Sequence, residues 1–267
     1  MPVKPLPWKR RFLGIAFFFL LITPSLSAEE KKSKFALGVG AGWLHDYPGA
    51  NQGRIRFLPF PIYRGKFFRM DRVSGVSGHV FDNSRLNFSW NFIFQFPTDS
   101  ENIPARKGMP NLDWLLSLGP QLKYTLLQTS HHKTYFRFPV RINTCTNFSN
   151  RTRFCGISFN PGIRHSLRFT SLGEFTFRAE LYAHSTEYSQ YFYEVHPRYA
   201  TPTRASYHAQ AGYLGSVFGF FHSFPLRGWQ IVSSFNVYDY NFNVNEDSPL
   251  FLQKTNYSVF FATTIDF

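Results

Sequence analysis

Three short stretches of the chain carry residue types that take part in catalysis or nucleotide binding. His45-Asp46 and His165-Ser166 each contain a base, but a hydrolase needs a nucleophile, a base and an orienting group that converge in space. Adjacent residues of a strand point to opposite faces, so His165-Ser166 cannot act as a pair by itself. The glycine-rich stretch at 38–42 lacks the strand–loop–helix context of a dinucleotide site. We therefore predict no enzymatic activity and no cofactor.

Cys145 and Cys155 are the two cysteines of the chain, separated by a mostly polar segment. In a secreted protein this spacing predicts one disulfide. A metal site is the alternative, but the sequence near the cysteines supplies no histidine or acidic partner. The pair His131-His132 lies in a predicted turn, where two solvated imidazoles are the simpler interpretation. We predict a disulfide and no metal.

The N-terminus has the parts of a secretory signal peptide. Four basic residues precede an apolar run at 12–22, and small residues follow at Ser25 and Ser27. A membrane-spanning helix would need about 20 apolar residues, so an uncleaved anchor is the weaker alternative. We predict a signal peptide at 1–27, with cleavage after Ser27 or, as the second choice, after Ala28. Residues 28–267 then form the mature domain.

Aromatic residues are unusually abundant: the chain has 33 Phe, 14 Tyr and 5 Trp, which is 19% of its residues. A soluble domain of this size rarely needs so many. A transmembrane barrel does, because alternate residues face lipid and aromatic girdles mark both membrane interfaces. The composition therefore favours a barrel.

Apolar and polar residues alternate along most of the chain. At 85–96 the aromatic face is Leu86, Phe88, Trp90, Phe92, Phe94 and Phe96, and the opposite face is polar except for Ile93. The same period of two recurs at 135–142 and 174–183. Runs of this length and chemistry are typical of membrane strands.

The fold class predicted from these runs is all-β, a closed antiparallel transmembrane barrel. Bacterial single-chain barrels have an even number of strands. We expect about twelve, near 34–44, 53–63, 66–72, 75–81, 84–96, 113–127, 133–143, 154–169, 173–184, 206–222, 228–240 and 256–267. The short turns should then be periplasmic, and the longer connections near 45–52, 97–112, 144–153, 185–205 and 241–255 should face outward.

Several charged residues occupy the polar face of the predicted strands and should point into the lumen. They are Arg56, Arg85, Arg137, Arg141, Arg178 and Glu180. An open lumen rich in arginine would favour anions. Alternatively, the arginines pair with acids and hydroxyls and fill the lumen. A barrel of twelve strands lies between the filled small barrels and the open porins, so strand number does not decide between the two.

Pro59 and Pro61 fall inside the second predicted strand. Proline donates no backbone hydrogen bond and is normally found at an edge or a bulge. A closed barrel has no edge. We therefore expect a distortion at this strand, or a gap beside it.

Several short motifs resemble the MltA-interacting protein (MipA)/OmpV family of outer-membrane proteins. The first strand alternates glycines at Gly38, Gly40 and Gly42, and a loop at 46–50 reads Asp-Tyr-Pro-Gly-Ala. A Pro-x-Pro-x-Tyr pattern follows at 59–63. The stretch at 191–195 is similar to an aromatic segment of the family, with a bulky residue where the family usually has glycine.

The resemblance implies a monomeric outer-membrane barrel. For one member it implies a scaffold that joins a lytic transglycosylase to a murein synthase. The end of the chain resembles the signal that the barrel assembly machinery reads, with its aromatic and aliphatic face at Tyr257, Val259, Phe261, Ile265 and Phe267. Deleting Phe267 is expected to impair assembly.

Two classes of function remain after this reading. The first is a scaffold or interaction protein of the cell envelope. The second is a small anion-preferring channel, or a surface receptor or adhesin. Membrane lipid and the phosphates of lipopolysaccharide are natural neighbours for exposed arginine and lysine. Nucleic acid is excluded because no basic run accompanies a binding motif and the compartment is wrong.

Overall fold

The computed structural model describes residues 34–59, 62–65, 68–71, 75–83, 85–226 and 229–266. The predicted signal peptide, residues 28–33 and Phe267 lie outside the described residues. Within the described part of the chain, no helix is long and apolar enough to cross a membrane.

Antiparallel strands make up most of the described chain. Their bounds are β1 (Lys34–His45), β2 (Gly53–Pro59), β3 (Ile62–Arg64), β4 (Phe68–Asp71), β5 (Gly75–Asp82), β6 (Leu86–Gln95), β7 (Trp114–Gln128), β8 (His132–Thr146), β9 (Thr152–Phe159), β10 (Gly162–Phe169), β11 (Gly173–His184), β12 (Gly212–Leu226), β13 (Trp229–Asp239) and β14 (Thr255–Asp266).

Strand pairing runs round a closed circuit. β14 pairs with β1, β1 with β2 and β3, and each following strand with the next as far as β8. β8 and β11 both pair with β9 and with β10, and the ladder continues from β11 to β14. β2 and β3 are two halves of one strand, and so are β9 and β10. The circuit therefore has twelve strand positions, which confirms the predicted barrel and its strand number.

Side chains alternate between the outside and the inside of this circuit, as the period of two requires. Phe57 and Phe261 are 74% and 61% exposed on the outside. Asn91, Gln121 and Asn143 are fully buried on the inside. The apolar face therefore meets lipid and the polar face fills the lumen.

Glycines of β1 make room for an aromatic ring on the inside of the seam between the first and last strands. Gly42 lies opposite Phe260, and Gly40 lies opposite Ala262. A Cβ atom on Gly40 or Gly42 would overlap the Phe260 ring. The alternating glycines therefore let β14 place one ring in the lumen at the point where the barrel closes.

The described ladders differ in length. β13 and β14 pair from Trp229–Ile265 to Asp239–Thr255, and the described residues of β3 and β4 pair at Tyr63–Met70 and Arg64–Arg69. β2 pairs with β1 alone among the described residues. β2 and β3 keep one register against β1, from Val39–Pro59 to Ala36–Ile62. Pro61 lies outside the described residues, so the distortion expected at this strand stays a prediction.

The structure differs from two predicted strands, and it adds a helix to one predicted connection. The strand expected at 154–169 is divided into β9 and β10 at Asn160-Pro161, because Pro161 has no N–H to continue the ladder. The strand expected at 206–222 begins at Gly212; before it, Tyr207 forms only an isolated bridge with Val195. The connection expected at 185–205 contains a helix, α1 (Thr186–Tyr193).

Candidate functional site

The predicted lumen charges fall into three groups. Arg137, Arg141 and Glu180 are buried at the level of β8 and β11, and Arg178 lies beside them with an 11% exposed side chain. Arg56 lies elsewhere, next to Asp46 near the long loops. Arg85 is exposed in the turn before β6 and is not part of either cluster.

Glu180 is the centre of the buried cluster. Its carboxylate lies 3.0 Å from Arg137 Nη1, 2.7 Å from Arg164 Nη2 and 3.6 Å from Arg178 Nη1. Both Arg164 and Arg178 also lie over the ring of Phe221. One carboxylate therefore serves three guanidinium groups.

Arg141 has no carboxylate partner among the described residues and is held by neutral amides. Its Nε donates to Asn91 Oδ1 and its Nη1 donates to Asn160 Oδ1, both at 2.8 Å. We define the lumen cluster as Arg137, Arg141, Arg164, Arg178 and Glu180. Four positive charges and one negative charge leave it with a net charge of +3.

Arg164 was not among the predicted lumen residues, although the alternation along its strand indicates an inward position. In β10 the residues Arg164, Ser166 and Arg168 share one face, and Ile163 and Leu167 share the other. The same alternation that identified Arg137 would have placed Arg164 inside.

Arg56 belongs to a separate ion pair at the long-loop end of the barrel. Arg54 Nε lies 2.6 Å from the buried carboxylate of Asp46, and Arg56 Nη2 lies 3.6 Å from it. Arg56 also donates to the carbonyl of Pro97 at 3.1 Å. This group ties β2 to the segment that follows β6.

The long connections pack together over this end of the barrel and form what we call the cap. Its centre is a cluster of buried apolar and aromatic side chains contributed by different loops and strand ends: Tyr47, Ala50, Ile103, Leu112, Leu115, Cys145, Cys155, Tyr188, Tyr191, Phe192, Tyr193, Ala209, Leu214 and Tyr240. Phe192 and Tyr193 of α1 have no exposed surface. The cap therefore has the packed core that a soluble domain would have.

Hydroxyl groups connect the loops of the cap to one another. Tyr47 donates to the carbonyl of Leu250 at 2.8 Å, and Tyr193 donates to the carbonyl of Pro48 at 2.9 Å. Burial raises the pKa of Tyr47 to about 12, because the phenolate would lose its hydration. These tyrosines are therefore neutral hydrogen-bond donors at physiological pH.

Arg106 closes the cap from the loop after β6. Its Nη1 donates to the carbonyl of Phe192 at 3.0 Å, and its guanidinium lies over the ring of Tyr47. Burial lowers the pKa of Arg106, but the ordinary value is high enough that the group stays charged. Arg106 joins the loops through carbonyl oxygens rather than through a carboxylate.

The disulfide predicted between Cys145 and Cys155 is present and joins β8 to β9 at the base of the cap, with Cα atoms 5.8 Å apart. Gly156 follows it with a positive φ of 87°. A Cβ atom at Gly156 would collide with the backbone of Tyr188, so glycine allows α1 to approach the barrel wall.

The residues of the terminal face lie on the lipid side as far as they are described. Tyr257 and Phe261 are exposed on the outside of β14, in phase with Val259. The backbone of Ile265 pairs with Trp229 and with Leu37. The role of these residues and of Phe267 in assembly stays a prediction.

The opposite end of the barrel carries the short turns and a polar cavity. A cavity of about 150 Å³ is lined by residues that include His131, His132, Lys133, Ser166, Arg168 and Glu174. His165 is not coupled to Ser166: His165 Nδ1 is hydrogen bonded to Thr134 Oγ1 at 2.7 Å, and Ser166 to Thr176. No group of three metal-ligating side chains occurs among the described residues.

Comparison with known proteins finds one family and several distant structures. Residues 37–267 match the family described as MltA-interacting protein MipA. No curated protein sequence matches the chain. A solved structure titled bacterial polysaccharide outer membrane secretin is 8% identical, with a TM-score of 0.43, and the match covers 87% of this chain and 98% of that one. The toluene transporter TbuX of Ralstonia pickettii is 10% identical, with a TM-score of 0.35 and 90% of each chain covered.

Proposed function

Because this chain belongs to the family of the MltA-interacting protein MipA and is a β-barrel of the bacterial outer membrane, we propose that it is a non-enzymatic interaction protein that holds a murein-processing enzyme at the periplasmic end of the barrel. The family description refers to such a partner, and a lytic transglycosylase with a murein synthase is the pair that the resemblance implies. The barrel would act as their membrane anchor.

The observation that carries this proposal is that the described interior is occupied at two levels. The cap packs an aromatic core over the long-loop end, and the lumen cluster places buried guanidinium groups against the wall below it. An interior filled in this way favours a protein that works through its outer surfaces over one that works through a wide pore.

The periplasmic surface that we assign to the partner is the basic rim, defined as His131, His132, Lys133 and Arg168. These side chains are exposed around the cavity at the short turns. Only Glu174 among the lining residues is acidic, and it is already bonded to Arg168. The rim is therefore complementary to an acidic patch on a partner.

A binding experiment tests this assignment with a matched control at the other end of the barrel. The full-length barrel in detergent is titrated with a purified soluble lytic transglycosylase, and the double variant Lys133→Glu, Arg168→Glu is compared with Lys254→Glu. Lys254 is an exposed lysine of the outer loops that pairs with Glu246 at 3.1 Å. Binding should weaken only in the rim variant. Binding that is unaffected by the rim, or lost in Lys254→Glu, would contradict the assignment.

A small anion-preferring channel is the second candidate, and the net positive charge of the lumen cluster is the observation that favours it. Bilayer recordings separate the two functions. A silent wild-type barrel that binds the enzyme supports the interaction protein. Anion-selective conductance without enzyme binding supports the channel.

Lipopolysaccharide is the membrane partner that we propose for the outer loops. At the tip of the disulfide-closed loop, Phe148 is 62% exposed and its ring lies 6.0 Å from Trp114 of the lipid-facing side. Arg151 and Arg153 follow it with exposed side chains. An aromatic ring at the interface beside two arginines suits a phosphate-bearing leaflet. Arg151→Gln with Arg153→Gln should reduce binding to lipid A vesicles but not to vesicles of lipid A without phosphate.

A further inference from the structure

Three prolines lie in the wall of the barrel beside Arg137 and Arg141. Between β7 and β8 the pairs Leu118–Ile142 and Gln121–Pro139 keep one register, and the level between them contains Pro120. On the other side of β8, Pro161 separates β9 from β10. Proline has no backbone N–H. Three neighbouring strands therefore each lack one backbone donor at this level of the wall.

Pro139 is the midpoint of this region. It lies between Arg137 and Arg141 on the inner face of β8 and brings no polar side-chain atom of its own. Gln121 lies opposite it on β7, and the backbone N–H of Asn160 donates to its carbonyl at 3.3 Å. Four polar side chains thus surround one apolar residue.

Three of these side chains present a buried donor that has no acceptor in the part of the chain that the structure describes. The donors are Arg137 Nε, Gln121 Nε2 and Asn160 Nδ2. A buried donor without a partner costs roughly 1–3 kcal/mol, and more when it is charged. Three of them around one residue therefore call for a common acceptor.

The amide oxygens do not supply that acceptor, because each accepts from a guanidinium group and none of the three donors is bonded to it. Gln121 Oε1 accepts from Arg137 Nη2 at 2.7 Å, and Asn160 Oδ1 accepts from Arg141 Nη1 at 2.8 Å. Each amide thereby presents its NH₂ end as an unpaired donor. Together with the net charge of +3, this leaves a lining of donors and positive charge.

We propose that the lumen wall around Pro139 binds one small anion, such as a halide or the oxygen of a single carboxylate or phosphate group. An anion accepts all three unpaired donors and reduces the excess charge, whereas a water molecule would leave that charge unbalanced. The anion is small because each of the three donor atoms is shut off from solvent by its neighbours. The site is independent of any partner at the rim.

Bromide is the probe for this site. The thermal midpoint of the full-length barrel is measured in increasing bromide at constant ionic strength, with gluconate as the balancing anion. Saturable stabilisation by bromide is expected. Crystals grown in bromide should show an anomalous peak within hydrogen-bonding distance of Arg137 Nε and Gln121 Nε2.

Gln121→Glu is the decisive variant, because it places a carboxylate beside the proposed anion. It should weaken the apparent bromide affinity about tenfold or more, equivalent to about 1.4 kcal/mol. Arg168→Gln is the matched control, since Arg168 is a rim arginine that is 68% exposed; its bromide response should equal that of the wild type.

Two results would overturn the proposal. One is a wild-type midpoint that does not respond to bromide, together with crystals that lack the anomalous peak. The other is a saturable response that Gln121→Glu leaves unchanged. If Gln121→Glu does not fold, Asn160→Asp replaces it, and the anomalous map of the wild type decides by itself.

Discussion

The cap and the lumen cluster are both buried, but they are built from different chemistry. The cap is an aromatic core whose loops are joined by neutral hydroxyls donating to carbonyls, as in the bond from Tyr47 to Leu250. The lumen cluster gathers four arginines around the single carboxylate of Glu180. Each neutral hydrogen bond contributes only a small net free energy to stability. Removing the partner of a buried charge costs much more, because the charge is left uncompensated. The two regions should therefore respond differently to the loss of one group.

The largest effect is expected at Glu180. Glu180→Gln removes the only carboxylate of the lumen cluster and leaves three guanidinium groups without their ionic partner. Breaking a buried pair in this way costs roughly 3–5 kcal/mol. The free energy of unfolding in detergent is the measurement.

Glu174→Gln is the matched control for that change. Glu174 also pairs with an arginine, Arg168, at 3.0 Å, but both side chains are exposed. An exposed pair contributes less than about 1 kcal/mol. Equal losses in Glu180→Gln and Glu174→Gln would mean that the lumen charges are solvated rather than buried.

A smaller and more local effect is expected from opening the disulfide at the base of the cap. The cysteines are 10 residues apart, and the chain-entropy relation gives roughly 2–3 kcal/mol for a loop of this size. Cys145→Ala should speed hydrogen exchange in the segment 147–151 while the strands stay protected. Loss of the heat-modifiable barrel in this variant would show that cap and wall fold as one unit.

Alkaline pH should loosen the cap. The folded pKa of Tyr47 is raised to about 12, above the ordinary tyrosine value of about 10. The contribution of Tyr47 is therefore complete below pH ~10 and is lost as the pH rises through about 12. Proteolysis of the outer loops should increase over this range.

Tyr47→Phe sharpens the test, because it removes both the titrating hydroxyl and the hydrogen bond to Leu250. It should lower the free energy of unfolding by about 1 kcal/mol at neutral pH. It should also reduce the loss of stability at alkaline pH. Tyr257→Phe, on the lipid face, should leave the pH profile of the wild type unchanged. An identical profile in Tyr47→Phe would assign the alkaline loss to other groups.

The smallest effect is expected at Arg85, which the sequence reading grouped with the lumen arginines. Because Arg85 is exposed in a turn, Arg85→Gln should leave the thermal midpoint unchanged. Arg137→Gln should lower it, since Arg137 is bonded to Glu180 and Gln121. A similar drop in the thermal midpoint of both variants would show that Arg85 lies in the lumen.

The wall was predictable from sequence and the cap was not, and the reason is physical. A strand between lipid and a polar lumen must alternate at every second residue, so 85–96 and 135–142 reveal both their structure and their orientation. The cap depends on contacts such as Tyr193 to Pro48, which are 145 positions apart and follow no period. The α1 helix has eight residues, too few to show a pattern of its own.

The lumen cluster was predictable from the sequence only in part. Alternation placed Arg137, Arg141 and Glu180 on the polar face of their strands, and all three are buried in the structure, because each residue's face follows from its position in a strand. It could not show that the amide oxygens of Gln121 and Asn160 accept from Arg137 and Arg141, since amide orientation depends on partners from neighbouring strands. Arg85 was misplaced because a strand's period does not say where the strand ends.

The glycines of β1 have a consequence for how the barrel closes. Phe260 occupies space that exists only because residues 40 and 42 have no side chains. The pairing of β14 with β1 therefore depends on this fit in shape. If the last strand slid by two residues toward Leu44, the ring would meet a leucine side chain instead of a glycine hydrogen. The last strand therefore fits the first strand of its own barrel. It fits less well against a misaligned strand, or against a strand of another protein that lacks this recess.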